Sequence, residues 1–123
     1  MSDVALLPSV NKFLGRDHGH YIDGDFAASS STNKITVVNP ANGEAIAQVS
    51  EATQGDIDHA VASANTGFKI WSKTSPAARA AVLFKLADLL EQNREELAQL
   101  ETCQSGKIIQ ISRAFEVDQA AHF

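Results

Sequence analysis

The sequence has one cysteine, three prolines and no long run of apolar residues among its 123 positions. A single cysteine, Cys103, cannot form an internal disulfide, and this is typical of proteins in a reducing compartment. No apolar run approaches the ~20 residues that a transmembrane helix needs. The N-terminus, residues 1–3, lacks the basic start and apolar centre of a secretory signal. These absences predict a soluble chain that works in the cytoplasm.

The chain also lacks an excess of positive charge. It has 10 basic and 15 acidic side chains, which gives a formal net charge of -5. Because a nucleic-acid backbone repels this balance and no basic cluster offsets it, we expect no nucleic acid as a partner. Because no apolar run is long enough to cross a bilayer, we expect no membrane as a partner. Apolar residues make up 44% of the chain, a fraction that is typical of a globular domain and not of a disordered tail.

The first half of the chain predicts short antiparallel β-strands. Asp23-Gly24 lies between apolar segments and indicates a hairpin, because both central residues of a type I′ turn need a positive φ. The β-branched run 34–38 predicts a strand, and residues 45–49 predict a return strand. We interpret the serine-rich run 27–33 as an exposed loop.

The second half predicts amphipathic helices. Thr53 lies three residues before Asp56, which is the spacing of a capping box at a helix start. Ser75-Pro76 indicates a second start, because serine can cap and proline at the first helical position loses no needed hydrogen bond. Apolar residues at spacings of three and four follow both starts, so each helix has one apolar face.

The helical pattern continues to the end of the chain. Asn93 with Glu96 indicates another start, so we expect a break there, and Gly106 is the expected end of that helix. Apolar residues between positions 108 and 115 share one side of a last helix, which runs to Phe123 without a stop signal. We therefore expect a chain that is cut within a helix.

Cys103 is the one candidate thiol nucleophile. A reactive cysteine needs a nearby cation, base or helix N-terminus to lower its pKa. Cys103 instead lies near the end of a helix, where the dipole disfavours a thiolate, and on an apolar face. We interpret it as a small core side chain.

The histidines do not complete a metal site. His18 and His20 have the spacing of a ligand pair on one side of a strand, but no Cys, Asp or Glu cluster supplies further ligands. We therefore interpret them as part of a solvated loop. His59 lies on the polar side of its helix near Asp56, and nothing there indicates catalysis.

No nucleotide-binding motif is complete. The seven glycines stand alone, so the Gly-x-Gly-x-x-Gly turn is absent. Ser105-Gly106-Lys107 is similar to the end of a phosphate-binding loop, but Glu101 occupies the position of its upstream glycine. Four carboxylates lie on a helix together with the basic residues Lys85 and Arg94, and such mixed charges predict a solvated face: Glu91, Glu95, Glu96 and Glu101. From the residues alone the chain is an α+β piece, and we assign no catalytic, cofactor-binding or metal-ligating residue to it.

Seven segments follow the order found at the start of NAD(P)-dependent aldehyde dehydrogenases. No one of them is decisive, but their shared order covers residues 20–123, and the chain resembles an N-terminal fragment of that superfamily. The segments are YIDG at 21–24, VNPANGE at 38–44, IDHAVASA at 57–64, Phe68 with Trp71, PAARA at 76–80, LADLL at 86–90, and EELAQLET at 95–102 with Gly106-Lys107.

The resemblance implies an α/β fold for the full-length protein, with a Rossmann-like cofactor domain. It implies an N-terminal extension at 1–19 and, at 20–123, the N-terminal part of the cofactor-binding domain, truncated at its C-terminal end. Members oxidise an aldehyde through a thiohemiacetal on a cysteine, pass hydride to NAD or NADP, and hydrolyse the thioester with a glutamate. The resemblance places that cysteine and glutamate beyond Phe123, and Cys103 does not lie in the nucleophile motif.

A narrower resemblance concerns the substrate. FLGRDHGHY at 13–21 and ISRAFEV at 111–117 are similar to the phenylacetaldehyde dehydrogenase branch, so we expect oxidation of phenylacetaldehyde or a similar aromatic aldehyde. The alternatives are a non-catalytic helical binding or regulatory module, and a dehydrogenase for a semialdehyde or betaine aldehyde. We expect a homo-oligomer when full length, and no cofactor on the fragment alone.

The family also implies a test for a cation site. Many relatives bind a structural monovalent cation through backbone carbonyls before the Asn-Pro pair and an acidic residue before the Gly-Lys pair. The corresponding positions here are Val37, Val38 and Gln104. An amide oxygen can ligate a hard cation, but the negative charge is missing, so we assign no metal ligand.

Overall fold

The computed structural model describes residues 5–122, which form short strands followed by helices. Residues 1–4 and Phe123 lie outside the described residues. The prediction that the chain has no secretory signal rests on residues 1–3 and therefore falls outside them too. The elements in chain order are α1 (Pro8–Leu14), β1 (His20–Ile22), β2 (Asp25–Ala27), β3 (Lys34–Val38), β4 (Ala45–Ser50), α2 (Gln54–Trp71), α3 (Pro76–Gln92), α4 (Arg94–Ser105), α5 (Ile109–Ile111), a π-turn (Ser112–Glu116) and α6 (Val117–His122).

The chain divides into two compact units. One, the hairpin unit, consists of residues 17–36 and 48–80. The other, the ion-pair unit, consists of the described residues of 1–16, 37–47 and 81–123. Among the described helices, none is long and apolar enough to span a bilayer.

The hairpin unit begins with the predicted hairpin. β1 and β2 pair antiparallel with Tyr21 opposite Phe26, whose rings meet edge to face at 5.0 Å. The turn between them has φ of 57° at Asp23 and 82° at Gly24, as a type I′ turn requires. Gly19 lies so close to the returning strand that a Cβ would come 2.5 Å from the carbonyl oxygen of Ala27. The hairpin prediction is confirmed.

β3 and β4 pair with each other in a separate two-stranded sheet. The turn between them is closed by a hydrogen bond of 2.9 Å from Asn39 N to Glu44 O, and by the Asn39 side chain, which accepts from Ala41 N. β3 has the predicted bounds, and β4 runs one residue beyond the predicted return strand, to Ser50.

The predicted helix starts are confirmed for α2 and α3. Thr53 and Asp56 form both reciprocal bonds of a capping box before α2. Ser75 Oγ accepts a hydrogen bond from Ala78 N at the start of α3. Neither helix has a buried residue, although both have the predicted apolar stripe. The exposed fraction of the stripe side chains on α3 is 55% for Val82, 58% for Leu83, 51% for Leu86 and 45% for Leu89.

The expected break at Asn93 is present, but not through capping by its side chain. Asn93 Nδ2 donates back to Leu89 O at 2.8 Å, so its side chain extends the end of α3 and does not cap α4. α4 ends at Gly106 as predicted, with φ of 74°. A Cβ at this position would lie 2.8 Å from Cγ of Pro40, so glycine is required both by the backbone conformation and by this contact.

The core of the ion-pair unit lies between α1, α4 and the C-terminal segment. Val10, Ala98 and Val117 are its buried apolar side chains. The buried amide of Gln99 accepts a hydrogen bond of 2.8 Å from Leu7 N, which ties the start of α1 to α4. The seven-residue helix α1 thus packs on α4.

Candidate functional site

The first polar cluster of the described chain surrounds Asp56 at the start of α2. Its carboxylate accepts hydrogen bonds from Thr53 N at 2.8 Å, Thr53 Oγ1 at 2.9 Å and Ser29 Oγ at 2.7 Å. These donors, the Thr53 amide first and then Ser29, hold the pKa of Asp56 well below its usual range. The cluster fixes a charged carboxylate at a helix N-terminus, where the dipole favours it.

His20 faces this carboxylate, which corrects the prediction of a solvated histidine loop. His20 lies in β1, and its Nε2 is buried, 3.6 Å from Oδ2 of Asp56. His18 is half-buried, and its carbonyl accepts a hydrogen bond from Ser50 N. Sequence reasoning missed this placement because the spacing of His18 and His20 indicates only that they share one face of a strand. It does not indicate that the start of α2 packs against that face.

The serine run is a loop, as predicted, but Ser29 and Ser31 within it are half-buried. Ser29 Oγ contacts both the Glu51 carbonyl oxygen and the Asp56 carboxylate, and Ser30 Oγ lies 2.8 Å from Thr53 Oγ1. Short hydroxyl side chains can satisfy orphan groups at a helix start, so the run helps to cap α2. No group of three or more His, Cys, Asp and Glu side chains in residues 5–122 could hold a metal ion.

Asp56→Asn is expected to lower the melting temperature at neutral pH. The melting temperature of this variant should also fall less than that of the wild type as the pH is lowered. The folded-state pKa of Asp56 is depressed, so its contribution is present above the ordinary value of 3.8 and is lost as the pH falls below it. Melting curves from about pH 7 to about pH 3 measure this. Asp58→Asn is the matched control, since Asp58 is exposed in the same helix and accepts from Gln54. Equal pH dependence in the two variants would contradict the assignment.

Cys103 lies in the last turns of α4 and is half-buried. Burial raises the pKa of its thiol above the ordinary value. The side chain is therefore a neutral thiol at physiological pH, and a neutral thiol is a poor nucleophile.

Ser105-Gly106-Lys107 lies at the C-terminal end of α4, whereas a phosphate-binding loop precedes a helix N-terminus. Lys107 Nζ is held between two carboxylates, at 2.7 Å from Glu116 and 3.1 Å from Glu101. These hydrogen bonds raise the pKa of Lys107. The ammonium group of Lys107 is therefore engaged by carboxylates, and the Ser105-Gly106-Lys107 turn does not have the geometry of a phosphate-binding loop.

The second polar cluster joins α4 to the C-terminal segment. Arg113 donates two hydrogen bonds to the Glu95 carboxylate, at 2.7 and 2.6 Å, and these lower the pKa of Glu95. The prediction of a solvated acidic face is therefore wrong for Glu95 and Glu101, which are both half-buried and paired. An open cleft of about 380 Å³ borders this cluster, and it is lined by Glu91, Gln92, Arg94, Glu95 and Arg113.

The positions of the implied cation site lie at the end of β3 and near the end of α4. The close approach of Gly106 to Pro40 places the end of α4 beside the turn that follows β3. β3 carries Val37 and Val38, and α4 carries Gln104, which is exposed and neutral. Since no carboxylate occupies the Gln104 position, this part of the chain offers carbonyl and amide oxygens without a compensating negative charge.

Comparisons with known proteins agree with the resemblance seen in the sequence. Residues 26–123 match the family model described as "Aldehyde dehydrogenase family". Malonate-semialdehyde dehydrogenase 2 of Bacillus thuringiensis (strain Al Hakam) is 51% identical over 88 residues, which are 72% of this chain and 18% of that protein.

Solved structures give the same result for the fold. The NAD+ complex of an aldehyde dehydrogenase from Bacillus cereus is 36% identical with a TM-score of 0.88, over 94% of this chain and 24% of that one. Aldehyde dehydrogenase C from Pseudomonas syringae, solved as a mutant with NAD+ and octanal, is 38% identical with a TM-score of 0.81, over 95% and 23%. The chain spans 18–24% of the length of these relatives. It belongs to the aldehyde dehydrogenase family.

Proposed function

We propose that the full-length protein carrying this segment oxidises an aldehyde to its carboxylic acid, with NAD+ or NADP+ as hydride acceptor. The observation that carries the proposal is the family match over residues 26–123. It is supported by the superposition of this fold on an aldehyde dehydrogenase that was solved with NAD+. The fold in question is α/β, with a Rossmann-like cofactor domain of which this segment is the N-terminal part.

Within that enzyme, the segment acts as scaffold and carries no catalytic, cofactor-binding or metal-ligating residue. Three features support this role. Cys103 is a half-buried thiol with a raised pKa, Lys107 is paired with two carboxylates, and no glycine-rich turn precedes a described helix. The nucleophilic cysteine and the general-base glutamate belong to the part of the family that follows this segment. The boundary between an extension at 1–19 and the domain at 20–123 is part of the same proposal.

We propose phenylacetaldehyde, or a similar aromatic aldehyde, as the substrate. The support is the similarity of residues 13–21 and 111–117 to that branch of the family. A second candidate is a semialdehyde, which is favoured by the name of the relative that is 51% identical over 88 residues. The two differ in chemistry, since a semialdehyde such as malonate semialdehyde carries a carboxylate that needs a cationic partner, whereas an aromatic ring needs an apolar pocket.

Steady-state kinetics of the full-length protein test this proposal. We expect NADH or NADPH formation with phenylacetaldehyde at a kcat/KM at least about tenfold above that for malonate semialdehyde. The reverse order would select the semialdehyde, and no turnover with any aldehyde would favour the non-catalytic binding module. A Cys103→Ala variant in the same assay should keep kcat within about twofold, whereas loss of a true nucleophile costs several orders of magnitude.

A further inference from the structure

The C-terminal segment contains a π-turn, Ser112–Glu116, between α5 and α6. The amide of Val117 donates to the carbonyl oxygen of Ser112, five residues back. In an α-helix the same amide would donate to Arg113, four residues back. The π-turn therefore releases the Arg113 carbonyl from its usual donor. Such turns are rare and need an identifiable cause.

Arg94 at the start of α4 contacts this released carbonyl. Its Nε and Nη2 donate to the Arg113 oxygen at 3.0 and 2.8 Å. Nη2 also donates to Oδ2 of Asp118 at 2.6 Å. One planar guanidinium thus binds a backbone oxygen within the π-turn and a carboxylate just after it, and its fixed fork suits such a double contact.

Two further contacts hold the π-turn on α4. The Arg113 side chain forms its paired hydrogen bonds with Glu95, the neighbour of Arg94 on α4. Ser112 is fully buried, and its hydroxyl lies 2.9 Å from that of Thr102. The first two residues of the π-turn are therefore fixed against α4 by side chains, independently of the backbone register that follows.

We propose that Arg94 sets the helical register of the segment after the π-turn, because its guanidinium replaces the Val117 amide as the donor to the Arg113 carbonyl. Without Arg94, that oxygen regains a donor when the π-turn becomes α-helix. This change rotates α6 by about 100° relative to α5, since each α-helical residue advances by that angle. Val117, only 7% exposed, would then turn out of the core, and α6 would present another face.

Crystal structures of two variants of the full-length protein test the proposal. In Arg94→Met, which keeps bulk but has no donor, we expect Val117 N to donate to Arg113 O and α6 to be rotated by about 100°. Asp118→Asn is the matched control, because it removes the charge of the carboxylate but leaves the carbonyl contact, and it should keep the π-turn. Retention of the Val117–Ser112 hydrogen bond in Arg94→Met would overturn the proposal.

A deletion provides a second test that does not require Arg94→Met to be fully stable. Removal of Ala114, which is exposed, takes one residue out of the π-turn and allows an α-helix without rotating α6. The deletion should raise the melting temperature of Arg94→Met and should not raise that of the wild type. Equal shifts in the two backgrounds would mean that Arg94 and the extra residue are not coupled, and would overturn the proposal.

Discussion

Leu86→Ala in the full-length protein is expected to lower the free energy of unfolding by about 2–5 kcal/mol, as measured by urea denaturation. Leu86 lies on the apolar stripe of α3, where it is 51% exposed in the described chain. Since the chain spans 18–24% of the length of its relatives, we propose that later parts of the full-length protein cover this stripe. In the full-length protein Leu86 would then be buried, so the expected loss of stability is the one that is typical of a buried leucine.

Glu91→Ala is the matched control, because Glu91 is exposed on the same helix. Its substitution should change the free energy of unfolding by less than about 0.5 kcal/mol. In the isolated chain, Leu86→Ala should cost less than in the full-length protein, since half of the side chain is already in water. Comparable losses at Leu86 and Glu91 in the full-length protein would show that the stripe is not a buried face.

The sequence predicts those parts of the fold that depend on local chemistry. The type I′ turn at Asp23-Gly24, the capping box of Thr53 with Asp56, and the end of α4 at Gly106 all follow from residue types at fixed spacings. In each case, the conformational preference of a few neighbouring residues is sufficient to determine the structure.

Contacts between distant residues are not predictable in this way. Glu95 and Arg113 are 18 residues apart, and Ser29 and Asp56 are 27 apart, so no local pattern pairs them. The π-turn also depends on such a contact, because the donor to Arg113 O comes from α4. The sequence does contain one sign of the ion pairs. Both the segment before Gly106, at 94–95, and the segment after it, at 113–118, carry charges of both signs. It indicates attraction but not which charges meet.

The isolated 1–123 chain is expected to show neither the NAD+ binding nor the aldehyde turnover that we propose for the full-length protein. The described residues supply no phosphate-binding turn, and the thiol of Cys103 is half-buried with a raised pKa. The lysine of the Ser105-Gly106-Lys107 sequence is paired with Glu101 and Glu116. A phosphate that approached Lys107 would have to displace both carboxylates.

The most direct test of the scaffold role is a calorimetric titration of NAD+ into the isolated 1–123 chain and, in parallel, into the full-length protein. Circular dichroism of the isolated chain shows in the same samples whether its helices have formed. We expect saturable binding to the full-length protein and no measurable heat of binding to the helical fragment. Saturable binding of NAD+ to the 1–123 chain would contradict it, because the cofactor site would then lie within the residues that we assign to the scaffold.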